Sequence, residues 1–313
     1  MAAAACDKTK EFINSGQAAV PPQLDPADAL DLSARPVILF QVFGEAEDPR
    51  LIPVAAVIGK KLRQINLTQE GWRKFDAMYL GRDSVYALFS DGRAQGTVRV
   101  KRGMWEDPDD PLYSLPGCVT LTPVAAVQMS TTMKTEFTVE FLAASDQLGE
   151  ERAGAQRLAG AEVAATARRL AYEAATGAGI TRRMLDSLDF RAVAIRTGAG
   201  TQPTIVASFV DPASENPGPE SARTIHLLLI ADTDSAGTYT VTYLHRVNGP
   251  LSSAAFRRYF DHLNVSGDAT DEIVLEGWRV GGDTYLSVLS FRDGQWEESF
   301  RSRPNWCLDE RKN

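Results

Sequence analysis

Between residues 260 and 300 the sequence passes through a polar loop, an apolar strand and a closing hairpin, and that order recurs along the chain. Short runs rich in β-branched and aromatic residues alternate with Gly, Asp and Asn turns, a pattern that suits antiparallel sheet. In the first half, 37–43 reads as a buried strand stopped by Gly44. Runs 51–58 and 62–65 flank the turn Gly59-Lys60-Lys61, and runs 84–89 and 95–101 flank Asp91-Gly92, a strong hairpin signal. Thr68 is expected to cap a short helix that carries Trp72, Phe75 and Tyr79 at helical spacing. Further strands are expected at 119–121, 124–129 and 135–143.

The second half repeats the pattern at 190–197, 204–210, 223–231 and 238–247, then at 273–280, 284–291 and 296–300. Asp293-Gly294 joins the last two runs. Ser252 is expected to cap a short helix through Phe260, because Phe256 and Phe260 fall at i,i+4. Residues 146–175 differ from all of these. They are dominated by alanine, with Leu148, Ala155, Ala159, Val163, Thr166 and Leu170 on one stripe, and predict an amphipathic helix joining two bodies.

The expected fold class is therefore α+β: two β-rich domains with mainly antiparallel sheets, joined by a long alanine-rich helix. The expected boundaries are an N-terminal segment and flexible tether at 1–34, a first domain at 35–145 and the connecting helix at 146–178. A second domain at 179–305 and a tail at 306–313 complete the chain. A formal net charge of −8 over 313 residues argues against a general binder of nucleic acid or of anionic membrane surfaces. No run of eighteen apolar residues is present to form a spanning helix.

Ala2, Ala3, Ala4 and Ala5 precede Cys6, and the polar stretch Asp7-Lys8-Thr9-Lys10-Glu11 follows it. This resembles the end of a bacterial lipoprotein signal peptide, in which small residues precede the lipidated cysteine. The resemblance implies a cell-envelope location, lipid-anchored or periplasmic, with the lipid on Cys6 as the membrane contact. Ala3 stands where that pattern usually has leucine, and a charged and apolar leader would have to lie upstream of Met1. A disordered alanine-rich start on a cytoplasmic protein is the alternative. With Cys6 set aside, Cys118 and Cys307 form an even pair suited to an oxidising compartment. A bridge between them would close a loop of about 190 residues, worth up to about 5 kcal/mol on the chain-entropy account. Two buried free thiols are the other reading.

Catalytic templates mostly fail: no nucleophile elbow, Walker loop or zinc-binding His-Glu-x-x-His pair occurs. His226 and His245 read as hydrogen-bonded sheet histidines, while His262 abuts the polar loop. That loop places Asn264, Ser266 and Asp268 at alternate positions, with Thr270 able to offer a carbonyl and Glu272 closing the set. Calcium takes six to eight oxygens from such loops. The run resembles the aspartate-rich calcium loops of FG-GAP-type β repeats in bacterial surface proteins, in which the loop leads into a strand. The resemblance covers about forty residues and implies Ca²⁺ on those five, with no other cofactor. Asn264 and Ser266 replace two aspartates and Ala269 replaces the turn glycine, so any affinity is expected to be no better than about 0.1–1 mM.

The functional expectation is a non-enzymatic cell-envelope lipoprotein acting as a binding or accessory module for a protein or small-molecule ligand. A structural or protein-interaction subunit of an envelope assembly is the first alternative. A hydrolase with paired carboxylates is the second, since carboxylates that pair in space leave no sequence signature.

Overall fold

The computed structural model describes residues 29–103, 124–131, 133, 137–149, 160–176, 179–214, 223–280 and 284–302. Cys6, Cys118 and Cys307, and hence the lipidation and disulfide expectations, lie outside the described residues. So does the strand expected at 119–121.

The first body is a closed barrel. Its strands are β1 (Val37–Glu45), β2 (Asp48–Ile58), β4 (Val85–Ser90), β5 (Arg93–Arg102), β6 (Ala125–Thr131) and β7 (Thr138–Ala144). They run β1-β7-β4-β5-β6-β2, and β2 pairs back onto β1, so six antiparallel strands close on themselves. The short β3 (Lys61–Arg63) extends from β2. In β5, Gly96 takes φ 148° beside a register shift in the β4–β5 pairing. A Cβ there would sit 2.1 Å from the Ser130 carbonyl oxygen. Helix α1 (Gln69–Tyr79), capped by Thr68 Oγ1 accepting from the Gly71 N–H at 3.1 Å, contributes Phe75 and Tyr79 to the barrel core. Ile38, Phe40 and Val42 also point into that core, whereas Leu39 on the same strand points out. A strand buried on both faces explains the unbroken apolar run of β1.

The second body contains two four-stranded antiparallel meanders. One runs β11-β10-β9-β8, built from β8 (Asp189–Ile195), β9 (Thr204–Val210), β10 (Arg223–Thr233) and β11 (Tyr239–Pro250). The other runs β12-β13-β14-β15, built from β12 (Phe256–Leu263), β13 (Glu272–Trp278), β14 (Thr284–Arg292) and β15 (Gln295–Arg301). The two sheets face each other across Val206, Leu228 and Ile230 on one side and Ile273, Leu275 and Leu289 on the other. The far side of the second sheet carries Val274, Leu286 and Val288, which pack on the outward Leu39, Phe89 and Leu142 of the barrel.

The α+β expectation is corrected here: the chain is mostly β, with 54% strand, 17% helix and three α-helices among the described residues. Among the described residues, no long helix joins two domains. Helix α2 (Gly160–Ala175) buries Val163, Ala167, Leu170 and Ala171 against Ile205, Ala207, Phe209 and Leu227, covering the outer face of the first sheet with help from α3 (Arg182–Asp186). Its small residues allow that close approach. The alanine periodicity registered an amphipathic helix but carried no information about which surface receives the stripe. Leu148, assigned to the same stripe, packs instead at the barrel–sheet junction. The short helix expected through Phe260 is strand β12, because i,i+4 is also a multiple of the strand period of two.

A covering helix and a connecting helix respond differently to added bulk. Ala171→Leu should lower the unfolding free energy by about 1–3 kcal/mol through overpacking. Ala165→Leu, on the exposed face, should change it by less than about 0.5 kcal/mol. Urea unfolding of the two variants measures this; equal, negligible effects would mean that α2 does not lie on the sheet.

Candidate functional site

A cleft of about 820 Å³ opens where the barrel meets the second sheet. Its volume is that of an ordinary small-molecule site, and junctions between separately built bodies are common places for one. One wall is the β2–β3 hairpin. Gly59 and Lys60 both take left-handed φ values, 55° and 63°, as a two-residue hairpin turn requires. The turn leaves Lys60, Lys61 and Arg63 exposed along the cleft while Leu62 packs into the junction core. The opposite wall is the loop 264–272, and the ends of β14 and β15 add Ser290, Arg292 and Ser299.

The loop expected to bind calcium therefore lines the cleft, but its groups are turned toward one another. Glu272 Oε2 accepts from the Val265 N–H at 2.9 Å and the Ser266 N–H at 3.3 Å. Burial raises the Glu272 carboxyl above its usual range, against the hydrogen bonds from Ser266 and Val265. Ser266 Oγ accepts from the Asp268 N–H at 3.3 Å, and the Asn264 amide donates to the Asp268 carbonyl at 3.2 Å. The left-handed turn residue is Gly267, at φ 68°, rather than position 269. Asp268 points outward, with its carboxylate 4.0 Å from Lys60 Nζ across the cleft. Thr270 lines the same opening. Among the described residues, no group of three or more His, Cys, Asp or Glu side chains is placed to hold a metal ion.

Charge in the cleft is lopsided. Glu298 is held by Arg257 at 2.9 Å and by Arg301 at 2.8 Å, and it accepts from Ser287 Oγ at 3.1 Å. Burial works to raise its carboxyl, but Arg301 and Arg257 outweigh that and hold it below the usual range. Asp268 shares its charge with Lys60, and Glu272 faces its own loop. Among the described residues, Lys61, Arg63 and Arg292 have no carboxylate within ion-pair distance.

The three histidines lie elsewhere. His226 donates through Nδ1 to the Phe209 carbonyl and accepts at Nε2 from the Arg257 N–H, both at 3.0 Å, stitching one sheet to the other. Burial pushes its pKa down to about 3. His245 bonds the Ala255 carbonyl at 2.8 Å. His262 sits in a second joint, where its Nδ1 accepts from the Tyr259 hydroxyl at 2.8 Å and burial lowers it to about 4. Beside it, Asp261 accepts from the Gly92 N–H of the barrel at 3.1 Å and from the His262 N–H at 2.7 Å. Gly92 is required twice over: its φ is 71°, and a Cβ would meet His262 Nε2 at 2.6 Å. Asp232 is the largest polar feature that residue-by-residue reading missed. It accepts from Thr204 at 2.5 Å, Thr242 at 2.6 Å and Trp296 Nε1 at 2.8 Å between the two sheets. Asp234, two residues on, closes the turn to the next strand by accepting from the Ala236 and Thr238 N–H groups.

Asp261 gives the joint a pH signature. Burial pushes its carboxyl from 3.8 up to about 7, against the backbone hydrogen bonds from His262 and Gly92. Its raised folded pKa means that its contribution is fully present below about pH 4 and is lost as pH rises through 7. His226 and His262 have the opposite sign, with stability lost as pH falls below about 6.5. Asp261→Asn keeps the Oδ1 acceptor and removes the charge, so its melting temperature should match the parent near pH 4 and exceed it increasingly up to pH 8. Thermal melts at four pH values measure the difference, in which the histidine terms cancel; a pH-independent offset would show that Asp261 does not titrate there.

Comparison with known proteins returns no match: no family model, no curated protein and no solved structure aligns with this chain.

Proposed function

We propose that the chain is a binding module of the bacterial cell envelope, held near the membrane through Cys6, whose ligand occupies the cleft between the barrel hairpin and the loop 264–272. The observation that carries the reading is the cleft itself. An opening of about 820 Å³ is bounded by walls from two different sheets and lined by hydroxyls, cations and carboxylates rather than filled by side chains. The envelope location rests on the lipoprotein-like residues around Cys6. A binding role is favoured over hydrolysis because each of the three carboxylates lining the cleft has a partner, Asp268 facing Lys60 at 4.0 Å. Glu298 is tied to two arginines, and Glu272 is bonded to the backbone of its own loop. An acid–base pair needs carboxyl oxygens that reach substrate.

A thermal-shift screen with neutral sugars, amino acids, short peptides, dicarboxylates and phosphorylated metabolites tests the reading. At a hundredfold excess over Kd a ligand stabilises by about 2.7 kcal/mol, which corresponds to a rise of roughly 5 °C or more. Ala269→Trp places an indole from an exposed position of the wall into the cleft and should abolish the shift. Hits that persist unchanged in Ala269→Trp, or a panel with no hits, would contradict the proposal.

A further inference from the structure

We infer that the ligand of this cleft is a small polyanion, a molecule carrying at least two carboxylate or phosphate groups, gripped from both walls at once. The inference rests on the cleft reading above and adds the chemistry of the occupant. Lys61 and Arg63 stand on the barrel wall and Arg292 on the sheet wall, and among the described residues none is matched by a carboxylate. The negative groups between them are spoken for: Glu298 by Arg257 and Arg301, Glu272 by its own loop, and Asp268 by Lys60. The chain as a whole carries a net charge of −8, so a concavity with surplus cations runs against the average of its surface. Concave, low-dielectric walls focus such a field onto a bound ion.

The side-chain types point the same way. Two guanidiniums offer flat, two-pronged donors that match carboxylate and phosphate oxygens, and Lys61 adds a point charge. Thr270 and Ser290 supply hydroxyls along the same surface. The cations come from opposite walls of the cleft. Two separated charges engage both, bridging barrel and sheet as the Lys60–Asp268 pair does at 4.0 Å.

Isothermal titration calorimetry on the full chain at constant ionic strength tests this, with citrate, inorganic pyrophosphate, acetate and glucose as probes. Citrate or pyrophosphate should bind saturably, and acetate at least tenfold more weakly. Preference between the two polyanions separates a carboxylate from a phosphate ligand. Arg63→Ala and Arg292→Ala should each weaken the polyanion at least tenfold, about 1.4 kcal/mol in binding free energy. Their melting temperatures without ligand serve as the folding control, since both side chains are exposed. Polyanion binding that survives both substitutions would overturn the inference. So would a neutral ligand displaced by Ala269→Trp when citrate and pyrophosphate give no heat, a result that leaves the cleft as a binding site. If neither charged nor neutral compounds bind, the cleft reading falls as well.

Discussion

The centre of the sheet β12–β15, strand β13 and the middle of β14, is buried on both faces, and the rest of the molecule is arranged around that fact. One face presses Ile273, Leu275 and Leu289 onto the first sheet, and the other presses Val274, Leu286 and Val288 onto the barrel. Strand β13 is buried from Glu272 through Gly277. Burying an aliphatic side chain of this size contributes about 1.5–3 kcal/mol, so each interface is substantial without any polar contribution. The layers that result are helix, sheet, sheet and barrel. The cleft exists because the β2–β3 hairpin stands beyond the packed junction while the loop entering β13 rises to face it.

Apolar packing alone would let these layers slide. Their registration comes from buried polar groups whose partners lie on another layer. Asp232 draws Trp296 across the two sheets, His226 draws the Arg257 N–H, and Asp261 draws the Gly92 N–H from the barrel turn. Leaving any of these groups unpaired would cost about 1–3 kcal/mol of uncompensated desolvation, more where the group is charged. Arg258 reinforces the barrel contact through Glu140 at 3.0 Å. Each pair tolerates only one placement of the layers, and that placement holds the cleft walls apart.

Local features were legible in the sequence because their causes are local. Asp91-Gly92, Asp293-Gly294 and Gly59-Lys60 encode left-handed turns in adjacent residues, and all three are turns. Thr68 caps its helix because its donors lie one turn away. The remainder depends on distant partners. Nothing near Ala167 or Ala171 says that helix α2 will lie on a sheet rather than span two bodies, and nothing near Phe256 separates a helical pair from alternate strand positions. The loop 264–272 was legible as a site-forming turn. Its partner wall is Lys60, Lys61 and Arg63, some two hundred residues earlier, so the cationic cleft has no sequence signature. Asp232 likewise has no local signature as a buried acceptor, because Trp296, which donates to it, is equally remote.

The central claim is that β12–β15 forms one cooperative core with both neighbours, and native-state hydrogen exchange tests it most directly. Amides of β13 should exchange only through global unfolding, and those of β1 and β7 in the barrel should share the same opening free energy. Barrel amides that exchange through an opening which leaves β13 fully protected would show instead two bodies in loose contact, with no fixed cleft between them.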